Sequence, residues 1–241
     1  MSWRLAMIKE NELAKCKFEK SKFSAFLYRF RGYILGAIAV ALVVMQPSMF
    51  PKEFDANDAN ALYVNDCVVG IVIAILLYVA SAFLRVQTRR FIGEHTRGHV
   101  HAADSLVTCG PYSRVRHPLY ISNTGFALGI AFFHLGVSLW VLPFMLVVVA
   151  FEVALSKIED RFLEQKFGDA WRAWASRTPA VLPHLCASHG SCSHEKSFCD
   201  SKHFPPPRTF WQAFFADSST WLWLLFCNLL LVLRKMAVFY V

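Results

Sequence analysis

The sequence predicts an all-α membrane protein, a polytopic transmembrane helix bundle of about five helices that includes a helical hairpin. Three observations carry this. Hydrophobic residues make up 56% of the 241-residue chain and only 17% is charged, against about 45–50% apolar and about 25% charged in soluble domains. Uncharged runs recur at 33–50, 67–84 and 119–151. Charge also alternates between loops. Residues 1–33 hold eight Lys/Arg against three Glu, residues 49–66 hold Lys52 against four acids, and residues 85–118 hold six Arg against Glu94 and Asp104. Loops on opposite sides of a bilayer show this alternation. A nucleic-acid partner is excluded, because the basic excess sits on no soluble domain.

Residues 1–32 read as a basic cytoplasmic segment without a cleavable signal, since charges continue up to the first apolar run. The runs 33–50 and 67–84 are 18 residues each, close to the roughly 20 that cross about 30 Å of hydrocarbon. A single helix over 119–151 would be about 50 Å long, so a hairpin is expected. It turns near His134–Ser138, where Gly136 loosens the chain, and its second arm runs past Glu152 to about Lys157. The basic ends place 1–32, 85–118 and 158–210 in the cytoplasm and 49–66 outside. The segments before and after the hairpin therefore share one membrane face. Residues 33–183 form the core. Residues 184–209 read as a linker and 210–241 as a C-terminal apolar helix, uncharged over Trp221–Leu233 and preceded by the aromatic anchor Phe210, Trp211, Phe214 and Phe215. A run that short fits an interfacial or re-entrant segment, or a span that borrows its flanks.

The stretch Gly110–Tyr120 crowds two prolines, two tyrosines, two arginines and a histidine against a long uncharged run. Ionisable groups at a membrane face are costly and usually functional. Gly110-Pro111 reads as a turn, and Pro118 suits the first turn of a new helix. That places Arg116 and His117 at a helix N-terminus, where free N–H groups and the dipole attract anions. Arg116 adds a guanidinium fork for a carboxylate or phosphate. The plainer alternative is that Arg114 and Arg116 anchor the loop to acidic headgroups. After the hairpin, Glu159, Phe162 and Leu163 share a helix face, Gly168 reads as a helix stop, and Trp171 and Trp174 begin another face. Here the alternative is an amphipathic surface helix with ordinary charge pairs such as Glu164 and Lys166.

Together the two blocks resemble the isoprenylcysteine carboxyl methyltransferase and phospholipid N-methyltransferase family of small integral membrane enzymes. The pattern is Leu106-Val107-Thr108-x-Gly110-Pro111-Tyr112, then Arg116-His117-Pro118-x-Tyr120, then Glu159-Asp160, Phe167-Gly168, Trp171, Trp174 and Pro183. It covers about residues 63–183. The resemblance implies a cytoplasmic-face site for S-adenosyl-L-methionine. Leu106, Val107, Tyr112, His117, Pro118, Leu119, Tyr120 and Glu159 match cofactor-contacting positions. It implies a lipid or lipidated acceptor, prenylcysteine-like or aminophospholipid-like, in a bacterial inner membrane or endoplasmic reticulum. Three positions depart from the pattern. Asp160 stands for a second Glu, Trp171 and Trp174 stand for tyrosines, and Leu155 stands where the eukaryotic prenylcysteine enzymes carry a carboxylate-binding arginine.

The implied chemistry moves a methyl group from a sulfonium to a nucleophile held in line in a water-poor pocket. A carboxylate acceptor needs no base, whereas an amine or thiol needs one, for which Glu159, Asp160 or His117 could serve. Arg116 and Glu159 are the expected catalytic pair. Arg116 would face the cofactor carboxylate or an acidic acceptor, and Glu159 a cofactor amine or hydroxyl. No metal is assigned. The tract His184, Cys186, His189, Cys192, His194, Cys199 and His203 has metal-ligating residue types but no paired knuckle spacing, and its setting reads as a linker. The seven cysteines show no disulfide framework. Two other classes stay open: a sterol-reductase-like NADPH oxidoreductase, and a non-catalytic membrane scaffold or transporter.

Overall fold

A computed structural model describes residues 22–24, 26–42, 59–92, 105–182 and 207–239. Every regular element among the described residues is helical. The long helices are α1 (Lys22–Leu42), α2 (Ala59–Arg89), α3 (Pro118–Leu135), α4 (Val141–Phe167) and, after the short α5 (Asp169–Ala175) and α6 (Phe210–Phe215), α7 (Ser218–Phe239). Among the described residues, three helices are long and apolar enough to cross a membrane: Lys22–Leu42, Val68–Arg89 and Val141–Phe167. The predicted all-helical bundle is thus observed.

Several boundaries differ from expectation. Helix α1 begins at Lys22, eleven residues before the uncharged run, and so crosses the predicted boundary at residue 33. Arg29 and Arg31 are compatible with a helix because long cationic side chains extend along it while their stems cover apolar surface. Helix α2 likewise reaches back to Ala59, into the stretch read as an outer loop. The hairpin turns at Gly136, whose φ of 67° an L side chain rarely adopts. Its second arm passes Lys157 and ends only at Phe167, since neither Pro nor Gly intervenes before Gly168. Helix α7 borrows residues at both ends of its apolar run and reaches 22 residues. The linker tract 184–203 lies outside the described residues.

The hairpin is built onto α2. Helix α2 packs most extensively on α3, and at Gly129 any Cβ would meet the Tyr78 ring. Small residues let helix backbones approach in this way. Tyr78 then donates to Asn228 on α7 at 3.0 Å. Ala39 and Leu42 of α1, Ile130 and Ala131 of α3, Val141 of α4, and Cys227 and Leu231 of α7 form one apolar core. The outer faces are apolar too, with Val72, Leu76 and Val79 of α2, Leu146 of α4 and Leu225 of α7 all exposed. Polar groups instead collect inside: Arg85, Thr88, Arg89, His117, Glu152 and Asp217 are buried. Apolar outside and polar inside is the arrangement a bilayer selects.

Candidate functional site

The Gly110–Tyr120 motif folds as a 3-10 turn over Gly110–Ser113 followed by the start of α3 at Pro118. Gly110 is held against the Phe91 ring, with no room for a Cβ. Segment 179–180 returns to the motif. Arg116 N–H donates to the Pro179 carbonyl at 2.8 Å and His117 N–H to the Ala180 carbonyl at 3.1 Å. The Trp174 indole N–H donates to the Tyr112 carbonyl at 3.3 Å. These bonds bring the two sequence blocks together, as expected. They also correct the anion site expected from free N–H groups before α3, because those two donors are already used.

At the junction His117 is clamped between two acids. Its Nε2 lies 3.0 Å from Asp160 Oδ1 and its Nδ1 3.7 Å from Glu159 Oε2. Burial alone would lower the histidine pKa, but the hydrogen bond to Asp160 and the neighbouring charges of Glu159 and Asp160 outweigh it and the net shift is upward. The two neighbouring carboxylates thus favour the protonated imidazole. Tyr120 stacks on its ring at a 5.4 Å centroid distance. Burial raises the Tyr112 phenol, and the charge of Glu159 adds to the rise. Arg116 Nη1 lies 3.4 Å from Asp160 Oδ2, and its guanidinium sits 5.4 Å from the Trp171 ring. Asp160 therefore serves both cations, while the Glu159 side chain keeps 33% of its surface exposed. Two buried donors beside this cluster, Arg116 Nε and Trp171 Nε1, have no hydrogen-bond partner.

The cluster opens on a cavity of about 1020 Å³ walled by α1, α3, α4 and α7. Arg116, Tyr112, His117, Leu119, Tyr120 and Glu159 line it, whereas Leu106, Val107 and Pro118 lie outside its lining. Its deeper wall is apolar, with Phe126, Ile130, Phe144, Val148 and Leu155. Leu155 is fully buried, so no cation stands at the position where a substrate arginine would be expected. Lys157 is exposed and lines a separate, smaller hollow between α1 and α4.

The sequence reading missed a second polar group in this wall. Arg85 Nε and Arg89 Nε both reach Asp217 Oδ2, at 2.7 and 2.9 Å. Arg85 also donates to Asn123 Oδ1 at 2.6 Å and to Thr220 Oγ1 at 3.1 Å. Burial pushes the Asp217 carboxyl up, and the attraction of the two arginines more than offsets this, holding it below the usual carboxylate range. Asp217 is aimed by the corner between α6 and α7. Thr209 and Gln212 form a capping box at the start of α6, and Arg208 N–H donates to the Arg90 carbonyl at 2.9 Å. The available signal was Arg85 as the first charge after the run 67–84, although its partner lies 132 residues away.

Cys109 is disulfide-bonded, which amends the expectation of no disulfide at that one position. Among the described residues, no group of three or more His, Cys, Asp or Glu is placed to hold a metal ion.

Residues 69–170 match the phospholipid methyltransferase family, so the resemblance read from the two blocks holds over α2 to the start of α5. The chain is also similar to the cobalt-zinc-cadmium resistance protein CzcN of Cupriavidus metallidurans, with 37% identity over 99 residues. That alignment covers 39% of this chain and 44% of the relative, so the matched part spans less than half of that protein. No solved structure gives a significant match.

Proposed function

We propose that this chain, whose residues 69–170 carry the phospholipid methyltransferase match, is an integral membrane S-adenosyl-L-methionine-dependent methyltransferase acting on a lipid or lipidated acceptor. The observation that carries the reading is the paired polarity of the His117 cluster. It leaves buried donors, Arg116 Nε and Trp171 Nε1, without acceptors, and an acid, Glu159, with surface to spare. An amino-acid carboxylate would satisfy the donors, and an amine or hydroxyl would satisfy Glu159. The residues thus fit the methyl donor, which supplies an electrophilic methyl group when bound.

The remaining roles belong to the protein. His117, held by Glu159 and Asp160, fixes the orientation of both acids. Tyr120 and Tyr112 wall the cluster, and Leu119 adds an apolar contact. The apolar depth of the cavity excludes water and accommodates a hydrocarbon chain, so that donor and acceptor meet in line. Leu106, Val107 and Pro118 act by holding the loop. In this reading the site faces the cytoplasm, because the basic segments flank it.

The test is incubation of purified protein with methyl-labelled S-adenosyl-L-methionine and a membrane lipid extract. Label in a lipid fraction is expected. No label together with no donor binding would sink the proposal.

A further inference from the structure

The smaller hollow between α1 and α4 has a volume of about 460 Å³ and shares no lining residue with the large cavity. Phe23 and Leu27 of α1 and Ala154 and Ile158 of α4 give it an apolar wall, and Lys157 and Arg161 stand on its α4 side. No carboxylate lines it. Both cations are exposed, and Phe23 is 62% exposed, so the hollow opens outward. Lys157 and Arg161 are four residues apart on one helix, where like charges are neighbours and repel. An acid three residues further on could relieve each of them, Asp160 for Lys157 and Glu164 for Arg161. Both acids are engaged elsewhere. Asp160 gives one oxygen to His117 at 3.0 Å and the other to Arg116 at 3.4 Å. Glu164 accepts from Arg172 Nε at 2.9 Å. Among the described residues neither Lys157 nor Arg161 has an ion-pair partner.

We propose that this hollow seats an anionic phospholipid that is not a substrate, its phosphate between Lys157 and Arg161 and its chain along Leu27, Ala154 and Ile158. A guanidinium fork beside an ammonium suits a phosphate. A soluble anion would leave the apolar wall and Phe23 in water, and a lipid without net charge would leave the two cations unrelieved. In the orientation set by the basic segments, the hollow opens at the cytoplasmic headgroups, the leaflet in which anionic lipids collect. Helix α1 also gives Tyr28 and Arg31 to the large cavity, so a lipid bridging α1 and α4 braces one wall of that cavity from outside. The inference stands apart from the methyltransferase reading, because the two linings share no residue.

The experiment titrates purified full-length protein in neutral detergent with dioctanoyl phosphatidylglycerol, dioctanoyl phosphatidylcholine and inorganic phosphate. Wild type is expected to bind phosphatidylglycerol about tenfold or more tightly than either of the others. Lys157→Gln combined with Arg161→Gln should bring phosphatidylglycerol to the phosphatidylcholine level. The melting temperature without lipid should not change, since both side chains are exposed. Leu27→Trp, which fills the apolar wall and keeps both charges, should weaken phosphatidylglycerol by a similar factor. Arg172→Gln, which removes an exposed cation outside the hollow, should leave its affinity unchanged. Equal binding of the two lipids, or an affinity unaltered by the double substitution, overturns the proposal. So does an equal loss in Arg172→Gln, the mark of diffuse surface charge, and so does phosphate binding as tight as phosphatidylglycerol, the mark of a free-anion site. If Leu27→Trp does not fold, the double substitution and the Arg172 control decide. No arm requires the methyl donor, so failure of the methyltransferase reading leaves these outcomes intact.

Discussion

Two charge clusters face the same cavity, one buried and one half-buried, and they differ in how fully their polar atoms are used. The Arg85–Asp217 cluster meets two guanidiniums with one carboxylate, an amide and a hydroxyl, at 2.6–3.1 Å. The His117 cluster is looser, with contacts at 3.0, 3.4 and 3.7 Å, and leaves Arg116 Nε and Trp171 Nε1 unmatched nearby. A satisfied buried network rigidifies a fold, whereas a partly satisfied one is costly unless a ligand completes it. The first cluster thus reads as a clasp between α2 and the α6–α7 corner, and the second as a receptor.

This contrast can be broken experimentally, and the largest effect is expected at the clasp. Asp217→Asn leaves Arg85 and Arg89 buried without their shared carboxylate, a loss of about 3–5 kcal/mol. It should appear as a fall in melting temperature of roughly 10 °C in detergent. An unchanged melting temperature would erase the distinction between the clusters. Glu159→Gln should do the reverse, weakening S-adenosyl-L-methionine binding by about 10–100-fold with little change in melting temperature. Donor affinity that survives the substitution would remove Glu159 from the receptor.

A smaller effect comes from pH. The folded pKa of His117 is raised, so its stabilising contribution is fully present below the unfolded value of about 6.5 and is lost as pH rises through the folded value. The melting-temperature gap between wild type and His117→Gln should therefore shrink with rising pH, and a gap constant with pH would refute the cationic clamp. The smallest effect is expected at Arg172, exposed and paired with Glu164 and Asp169 at 2.9 Å each. Exposed pairs contribute little, so Arg172→Ala should leave both melting temperature and donor affinity unchanged.

The proposed receptor was largely legible in the sequence because its parts are local. Arg116 and His117 adjoin the proline that starts α3, Glu159 and Asp160 sit together on α4, and the hairpin between them is a visible uncharged run. The clasp was not legible. Arg85 and Arg89 read as ordinary loop charges at the end of a span, and Asp217 carries no local mark of its partners across more than a hundred residues. Glu152 stood in plain view as the first charge after the hairpin run, yet whether it was paired depended on Arg85 and Asn123 from two other helices.

The sequence by itself determined the helical class, the hairpin with its turn at Gly136, the stop at Gly168 and the pairing of the motif with the Glu159 segment. Hydrophobic run length and backbone-restricting residues act locally, so composition and spacing reveal them. Only the tertiary structure decided which N–H groups remain free before α3, which helix ends extend into charged sequence, and which buried polar atoms lack partners. Those outcomes depend on the neighbours that packing supplies from distant segments, and in a water-poor interior such neighbours determine whether a charge forms part of the scaffold or is left for a ligand.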